Sequence, residues 1–296
     1  MPRKYLLNVY AAAAAAVLSQ FVPPTARAQE RVDPARVPVV YRVPGMERVV
    51  VREGVVFDKA PAAPLALDAY IPRGLRRGER RPAVVFVSGA ERVRHWQWFV
   101  TWGRLAAAHG LVGIVPDKRY PRGFDGIRTG FEDTEKLLEY LRARGGPLGV
   151  DPESVCLWTF SAGGRLTSVG LRPGAPGVRC LVSFYGVLEL SGEVAGAGAE
   201  REATLRRYSP LHALEAAAGS GAKVPPVFLA RAGKDSDSIN SGLDRFAAAA
   251  LRLNVPLTLV NYAEGDHGFD GLNDTPQSRA VIAAALRFVR EHTAPR

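Results

Sequence analysis

Ser161 lies in a stretch of small residues that is suited to presenting a reactive hydroxyl group. The stretch, residues 158–164, reads WTFSAGG and departs from the pattern G-x-S-x-G in having Thr159 at the first glycine. A serine between a strand and a helix can act as a nucleophile, because unpaired N–H groups at the start of the helix stabilise a developing oxyanion. Taken alone, the stretch fits equally well a serine that caps the helix.

Two further residues complete a candidate nucleophilic site, since a serine nucleophile requires a base and an acid that orients the base. Asp235 ends the stretch RAGKD after a predicted strand at residues 227–230, and His267 lies in AEGDHGF after a predicted strand at residues 257–262. The carboxyl ends of parallel strands meet at one edge of a sheet, where ligands bind. Ser161, Asp235 and His267 are therefore predicted to lie at the same edge of the sheet, in the chain order serine, aspartate, histidine.

The elements that must position these residues alternate between strand and helix. Continuous apolar runs such as residues 83–87 predict strands that are covered on both faces. The pattern predicts strands at residues 48–57, 65–71, 83–87, 111–115, 155–158, 180–185, 227–230 and 257–262. It predicts helices at residues 98–109, 129–144, 162–171, 241–253 and 276–291. Such alternation predicts an α/β fold with a mostly parallel central sheet and helices on both faces.

From about residue 80 to the C-terminus, the chain resembles the α/β-hydrolase superfamily, in particular its secreted esterase and dienelactone-hydrolase-like group. The resemblance rests on the FSAGG elbow, the Gly-Lys-Asp turn and the His-Gly-Phe turn, each of which follows a predicted strand in the family's chain order. It implies that Ser161 is the nucleophile, that His267 is the general base and acid, and that Asp235 orients the histidine. It also implies a reaction that needs no cofactor or metal.

The same resemblance implies an oxyanion hole built from two backbone N–H groups. These map to Ala162, directly after the serine, and to Ala90 in the loop after the third predicted strand. The family often has His-Gly in that loop, whereas this chain has Ser88 and Gly89. The backbone donors survive this change, but the support of the loop by a histidine side chain is lost.

Two other acidic residues lie close to the candidate site in sequence. Asp237 follows Asp235 in the run Asp-Ser-Asp-Ser and is an alternative acid, although Asp235 ends the Gly-x-Asp turn. Asp266 adjoins His267, but an adjacent residue rarely reaches the Nδ1 atom of its neighbour, so a solvated carboxylate is predicted there.

Four aromatic side chains precede or begin the helix that follows the candidate oxyanion loop. His95 and Trp96 are predicted at the mouth of the site as candidate substrate contacts. Trp98 and Trp102, with Trp96, either pack in the core or line a substrate pocket. Two further histidines, His109 and His212, are predicted to be structural.

Residues 1–28 have the pattern of a secretory signal peptide. Arg3 and Lys4 precede an apolar, alanine-rich stretch at residues 5–22, and residues 26–28 form an A-x-A cleavage site. Cleavage predicts export to a periplasm or to the medium without a stable membrane anchor. An uncleaved anchor is the alternative.

The chain of 296 residues, 47% of them hydrophobic, suits one large domain. Residues 29–79 are predicted to form a lead-in and edge strands, and residues 80–296 the hydrolase core. Within the core, residues 186–221 are rich in glycine and alanine and are a candidate for a small cap over the site.

The chain is basic, but the distribution of charge does not favour a nucleic-acid partner. The formal net charge of +10 becomes 10 − 3 = +7 after removal of the signal, which carries Arg3, Lys4 and Arg27. The basic residues are scattered and no nucleic-acid-binding motif accompanies them, so a solvated arginine-rich surface is predicted.

The two cysteines, Cys156 and Cys180, fall in predicted interior strands. An exported protein permits a disulfide between them, whereas free thiols would pack there as small hydrophobic groups. No cluster of cysteine and histidine has metal-ligand spacing.

The sequence as a whole predicts a secreted serine hydrolase that cleaves a small-molecule carboxylic ester. A serine peptidase of the prolyl-oligopeptidase type is an alternative, because its catalytic domain has the same chain order. A hydrolase fold that has lost activity and serves for binding is a second alternative, suggested by Thr159 and Ser88.

Overall fold

The computed structural model describes residue 33 and residues 35–59, 64–119, 123–175 and 177–294. The signal-peptide prediction concerns residues 1–28 and lies outside the described residues. From residue 35 onward, the described residues form one compact unit. Among the described residues, no helix combines the length and apolarity that crossing a membrane would require.

The centre of the fold is a sheet of eight strands. The strands are β1 Val50–Asp58, β2 Leu65–Ile71, β3 Arg81–Val87, β4 Val112–Pro116, β5 Val150–Phe160, β6 Val178–Phe184, β7 Val227–Ala232 and β8 Leu257–Tyr262. Their order across the sheet is β1-β2-β4-β3-β5-β6-β7-β8. Strand β2 is antiparallel to both neighbours, and β3 to β8 are parallel. The predicted mostly parallel sheet is thus confirmed.

Eight α-helices accompany the sheet in the described part of the chain. They are α1 Gln97–Ala108, α2 Phe124–Arg144, α3 Thr167–Leu171, α4 Gly198–Tyr208, α5 Pro210–Gly219, α6 Asp237–Arg252, α7 Phe269–Leu272 and α8 Pro276–Thr293. Helices α2 to α6 share one hydrophobic core, and α1, α7 and α8 share another on the opposite face of the sheet.

The alternation of side chains along β5 explains why the sheet is covered on both faces. Val155 and Leu157 belong to the core with α2 to α6, whereas Cys156, Trp158 and Phe160 belong to the core with α1 and α8. Successive residues of a strand point to opposite faces, so a strand buried on both sides reads as a continuous apolar run. This central position brings the C-terminal end of β5, where Ser161 follows, to the middle of the sheet edge.

Two of the predicted helices differ most from the observed ones. Helix α2 begins at Phe124, after Gly123 with φ 71°, and not at residue 129. The first turns were missed because Gly126 lowers helix propensity, but this residue lies on the buried face and its small size suits packing. Residues 162–171 are not one α-helix: Ser161–Leu166 is a 3-10 helix and the α-helix begins at Thr167.

The candidate cap at residues 186–221 contains helices α4 and α5. Their buried side chains join the core of α2 to α6, where the Tyr208 ring lies 5.0 Å from the Phe131 ring in an edge-on contact. This part of the segment thus belongs to the helical layer on one face of the sheet. A covering role over Ser161 stays a prediction.

Candidate active site

Ser161 lies in a sharp turn between β5 and the 3-10 helix. Its φ of 53° is in the left-handed region, which a residue with a side chain rarely adopts and which a surrounding structure must enforce. The turn is held by a hydrogen bond of 3.0 Å from the Val187 N–H to the Ser161 C=O. Close approach of the backbones also demands glycine: a Cβ atom at Gly163 would lie 2.4 Å from the Val87 carbonyl oxygen.

Thr159, at the first glycine position of the motif, is fully buried. Its Oγ1 atom lies 3.0 Å from Thr167 Oγ1 and donates to the Val182 C=O at 3.3 Å. The side chain thus fits between β6 and α3, and the strained backbone angle belongs to Ser161 itself. The left-handed angle of Ser161 therefore does not require a distortion by the Thr159 side chain.

The structure brings the three predicted side chains into one hydrogen-bonded series. Ser161 Oγ lies 2.8 Å from His267 Nε2, and His267 Nδ1 lies 2.6 Å from Asp235 Oδ2. The Asp235 side chain is 4% exposed and that of His267 is 39% exposed, so the acid is buried and the histidine remains accessible.

The two other acidic residues near the site are both exposed. Asp237 lies at the start of α6, and Asp266 is bonded to Asn273.

Direct contact between two turns explains why Asp235 reaches His267. Asp235 lies in the turn after β7 and His267 in the turn after β8, and these strands are parallel neighbours. The Lys234 N–H donates to the Gly265 C=O at 3.0 Å, which ties one turn to the other. The Asn240 side chain also donates to the Ala232 C=O at 3.0 Å and anchors the acid turn to α6.

The candidate oxyanion loop passes directly beside Ala162. A Cβ atom at Gly89 would lie 2.5 Å from the Ala162 Cβ and 3.1 Å from its backbone nitrogen, so only glycine permits this approach. The Ala90 N–H, however, donates to Ser88 Oγ at 3.0 Å. This finding qualifies the prediction for Ala90, because an oxyanion would have to replace Ser88 as the acceptor.

The Ser88 side chain supports the candidate oxyanion loop. Besides accepting the Ala90 N–H, its hydroxyl group donates to the Ala90 C=O at 2.9 Å. Lys118 Nζ donates to the same carbonyl at 2.6 Å. Burial lowers the pKa of Lys118 to about 7, although the carboxylates of Glu91 and Asp133 act in the opposite direction.

Arg94 ties the segment after the oxyanion loop to two strands. Its guanidinium donates to Asp68 of β2 at 2.6 Å and to Asp117, directly after β4, at 2.8 Å. Both carboxylates are buried. Sequence reasoning did not select Arg94 or Lys118; the available signal was a charged pair, Asp117 and Lys118, immediately after an apolar strand.

The aromatic residues near this loop divide into two groups. His95 is exposed and Trp96 is partly buried against the core at the start of α1, and their contact with substrate stays a prediction. Trp98 and Trp102 are buried, and both indole N–H groups donate to Asp270. The structure therefore favours core packing for these two residues.

The other histidines and the cysteines have separate environments. His212 Nδ1 lies 3.1 Å from Ser209 Oγ, and His109 stacks with Tyr41 at the end of α1. Cys156 and Cys180 are paired in register on β5 and β6, and both are buried and free. Within the described residues, no three side chains of His, Cys, Asp or Glu are grouped to hold a metal ion.

Comparison with solved structures shows what this architecture is similar to. The native form of Est2, a thermophilic esterase from the Planctomycetes species Thermogutta terrifontis, has a TM-score of 0.65 and 24% identity, with 86% of this chain and 98% of that chain covered. Its butyrate-bound form has a TM-score of 0.66 and 24% identity, with the same coverage of both chains. Thermogutta terrifontis esterase 2 phosphorylated by paraoxon has a TM-score of 0.65 and 22% identity, with 86% of this chain and 98% of that chain covered.

No protein-family model and no curated protein matched the chain. The structural similarity nevertheless covers 98% of the esterase chain, and this chain has a mostly parallel eight-stranded sheet with helices on both faces. On these grounds, the chain has the α/β-hydrolase fold.

Proposed function

We propose that this protein is a serine hydrolase that cleaves carboxylic esters through an acyl-enzyme on Ser161. The observation that carries the proposal is the series Ser161 Oγ, His267 Nε2, His267 Nδ1 and Asp235 Oδ2, with separations of 2.8 and 2.6 Å, at a serine with left-handed backbone. A base that contacts the nucleophile and an acid that orients the base are what serine catalysis requires.

Acylation begins when His267 Nε2 accepts the hydroxyl proton as Ser161 Oγ attacks the ester carbonyl carbon. The carbonyl oxygen becomes an oxyanion, which accepts a hydrogen bond from the Ala162 N–H. The Ala90 N–H becomes a second donor when the oxyanion displaces Ser88 Oγ. Collapse of this intermediate breaks the bond to the alkoxy group, which leaves as an alcohol with the proton from His267.

Deacylation repeats these steps with water as the nucleophile. His267 accepts a proton from water, whose oxygen attacks the acyl carbon, and then returns the proton to Ser161 Oγ as the carboxylic acid leaves. Asp235 keeps the proton of His267 on Nδ1 and stabilises the imidazolium that forms in both stages. Its burial limits the competition from solvent for that hydrogen bond.

The similar solved structures support an ester as substrate. They include an esterase bound to butyrate and the same esterase phosphorylated by paraoxon, a compound that modifies that protein. From the sequence motifs around Ser161, Asp235 and His267, we also propose that the chain belongs to the secreted esterase and dienelactone-hydrolase-like group. Chromogenic esters of graded acyl length, assayed beside a proline-containing peptide, distinguish this proposal from a peptidase, which would cleave the peptide preferentially.

Covalent labelling tests the identity of the nucleophile. A fluorophosphonate probe is expected to modify Ser161 with a stoichiometry near one per chain, as located by peptide mass spectrometry. Ser161→Ala should abolish labelling and lower ester turnover by roughly 10⁴- to 10⁶-fold, the range seen for loss of a triad member. The matched control is Ser241→Ala, an exposed serine of α6, which should label normally. Full labelling of Ser161→Ala, or none of the wild type, would overturn the proposal.

We also propose that the protein is exported and that its signal segment is removed after residue 28. The support is the basic start, apolar stretch and A-x-A site of residues 1–28. Expression of the full chain in a secreting bacterium, followed by N-terminal sequencing of the exported protein, should give Gln29 as the first residue. A product that begins at Met1 would contradict cleavage.

A further inference from the structure

Asp270 accepts hydrogen bonds from three aromatic side chains in the core beside His267. It lies in α7, three residues after the histidine, and is completely buried. Its Oδ2 accepts the indole N–H groups of Trp98 at 2.7 Å and Trp102 at 2.9 Å, and its Oδ1 accepts the Tyr185 hydroxyl at 2.5 Å. An indole N–H can only donate, so the arrangement requires an acceptor at this position.

Burying the charged carboxylate of Asp270 costs free energy, and its hydrogen-bond donors offset that cost. Burial raises the pKa of Asp270, whereas the three donors act to lower it. In the described part of the chain, no ion pair compensates the charge, so hydrogen bonds from neutral groups hold it. Because a buried carboxylate is unfavourable without hydrogen bonds, Asp270 fixes its three donor side chains in place.

One of the three partners contacts the proposed base. The Tyr185 ring lies 4.7 Å from the His267 ring, centroid to centroid, at an interplanar angle of 55°. Tyr185 directly follows β6 with φ 40°, and its N–H donates to the Ala230 C=O at 2.8 Å. The tyrosine is therefore held at both ends, by the sheet at its backbone and by Asp270 at its hydroxyl group.

The other two partners connect the histidine turn to helix α1, which follows the oxyanion loop. A Cβ atom at Gly271 would lie 2.7 Å from the Trp98 indole, so this ring packs directly on the turn that carries His267. Asp270 therefore joins three parts of the molecule: the histidine turn, the end of β6 and α1.

We propose that Asp270, acting through Tyr185, is a positioning residue that fixes the imidazole of His267 between Ser161 and Asp235. The hydrogen bonds at Nδ1 and Nε2 restrain the ring within its plane, and the tyrosine restrains it from one face. The role deepens the proposed function and rests on it. Misplacement of a catalytic group by about 1 Å can cost about 100-fold in rate, so loss of this restraint should be measurable.

Tyr185→Phe is the primary test, because it keeps the ring against His267 and removes the hydroxyl bond to Asp270. We expect kcat for a chromogenic ester to fall about tenfold while KM changes less than about twofold, since proton transfer is impaired and substrate binding is not. The rate of fluorophosphonate labelling at Ser161 should fall in parallel, with unchanged final stoichiometry. The acidic limb of the kcat/KM profile should also shift.

Tyr262→Phe is the matched control. The Tyr262 hydroxyl group lies 2.8 Å from Thr275 Oγ1, and its ring contacts Phe269 of the same α7 turn, but it makes no ring contact with His267. This variant loses a comparable bond and should keep the wild-type kcat and pH profile. An equal loss of kcat in both variants would reduce Tyr185 to a structural role and overturn the inference.

A double-mutant cycle tests whether Asp270 and Tyr185 act together. If Asp270 acts through Tyr185, adding Tyr185→Phe to Asp270→Asn should lower kcat no further than Asp270→Asn alone. Multiplicative effects would contradict this route. If Asp270→Asn does not fold, the comparison of Tyr185→Phe with its control Tyr262→Phe still tests the positioning role. Wild-type protein that fails to label would overturn the proposed function, whereas normal labelling with an unaffected Tyr185→Phe would overturn the positioning role alone.

Discussion

Thr159 shows how a single residue can depart from a motif without removing the geometry that the motif provides. Its side chain is buried away from the nucleophile, and its hydroxyl group contacts Thr167 and the Val182 carbonyl. Thr159→Val keeps the volume and removes both contacts, so we expect the free energy of unfolding to fall by about 1–2 kcal/mol. Labelling of Ser161 by the fluorophosphonate should remain complete. Urea unfolding and labelling stoichiometry are the measurements.

Thr204→Val provides the comparison at residue scale. Thr204 lies in α4, and its hydroxyl group donates to the Glu200 C=O at an exposed position. Water can replace that bond, so the change in unfolding free energy should stay within about 0.5 kcal/mol. A Thr159→Val protein as stable as wild type would mean that the buried hydroxyl group contributes nothing to the elbow.

At the scale of elements, the local sequence pattern predicts the helices and strands whose bounds are marked by residues that are close along the chain. Strands β2 and β8 begin and end where the sequence predicts, because turn-forming residues bound their regular apolar or alternating runs. The start of α2 and the 3-10 helix after Ser161 depend on packing and on a strained turn, which local propensity does not encode. Helix α7 has four residues, too few for a periodic signal.

The residues of the candidate site also divide into those that the local sequence predicts and those that it does not. Chain order and parallel strands bring Ser161, Asp235 and His267 to one edge, so their proximity could be predicted from the sequence. The contact of Asp270 with Trp98 joins residues 172 positions apart, and that of Lys118 with Ala90 joins residues 28 apart. Such partners are set by how side chains pack in three dimensions. No spacing rule along the chain could have selected them.

At the scale of the whole molecule, the buried amine of Lys118 links stability to pH. The pKa of its folded form is about 7 against an ordinary value of 10.5, chiefly because burial penalises the charged form. Between these values the unfolded chain binds one more proton than the folded chain does, so the free energy of unfolding rises with pH. Below pH 7 the folded state bears the whole cost of the buried charge. Near pH 10.5 that cost has disappeared.

Lys118→Met isolates this contribution, because every other titrating group is common to both proteins. Between pH 6 and 9 the wild type should gain on the order of 2–3 kcal/mol from Lys118, a gain that the variant lacks. Relative to wild type, the variant should therefore be more stable at pH 6 than at pH 9 by that amount, as measured by urea unfolding at both values. Lys136→Met is the control for loss of an accessible lysine, because its side chain is 46% exposed beside Asp58. A difference between Lys118→Met and wild type that does not change with pH would show that the folded protein accommodates a charged Lys118 at neutral pH without penalty.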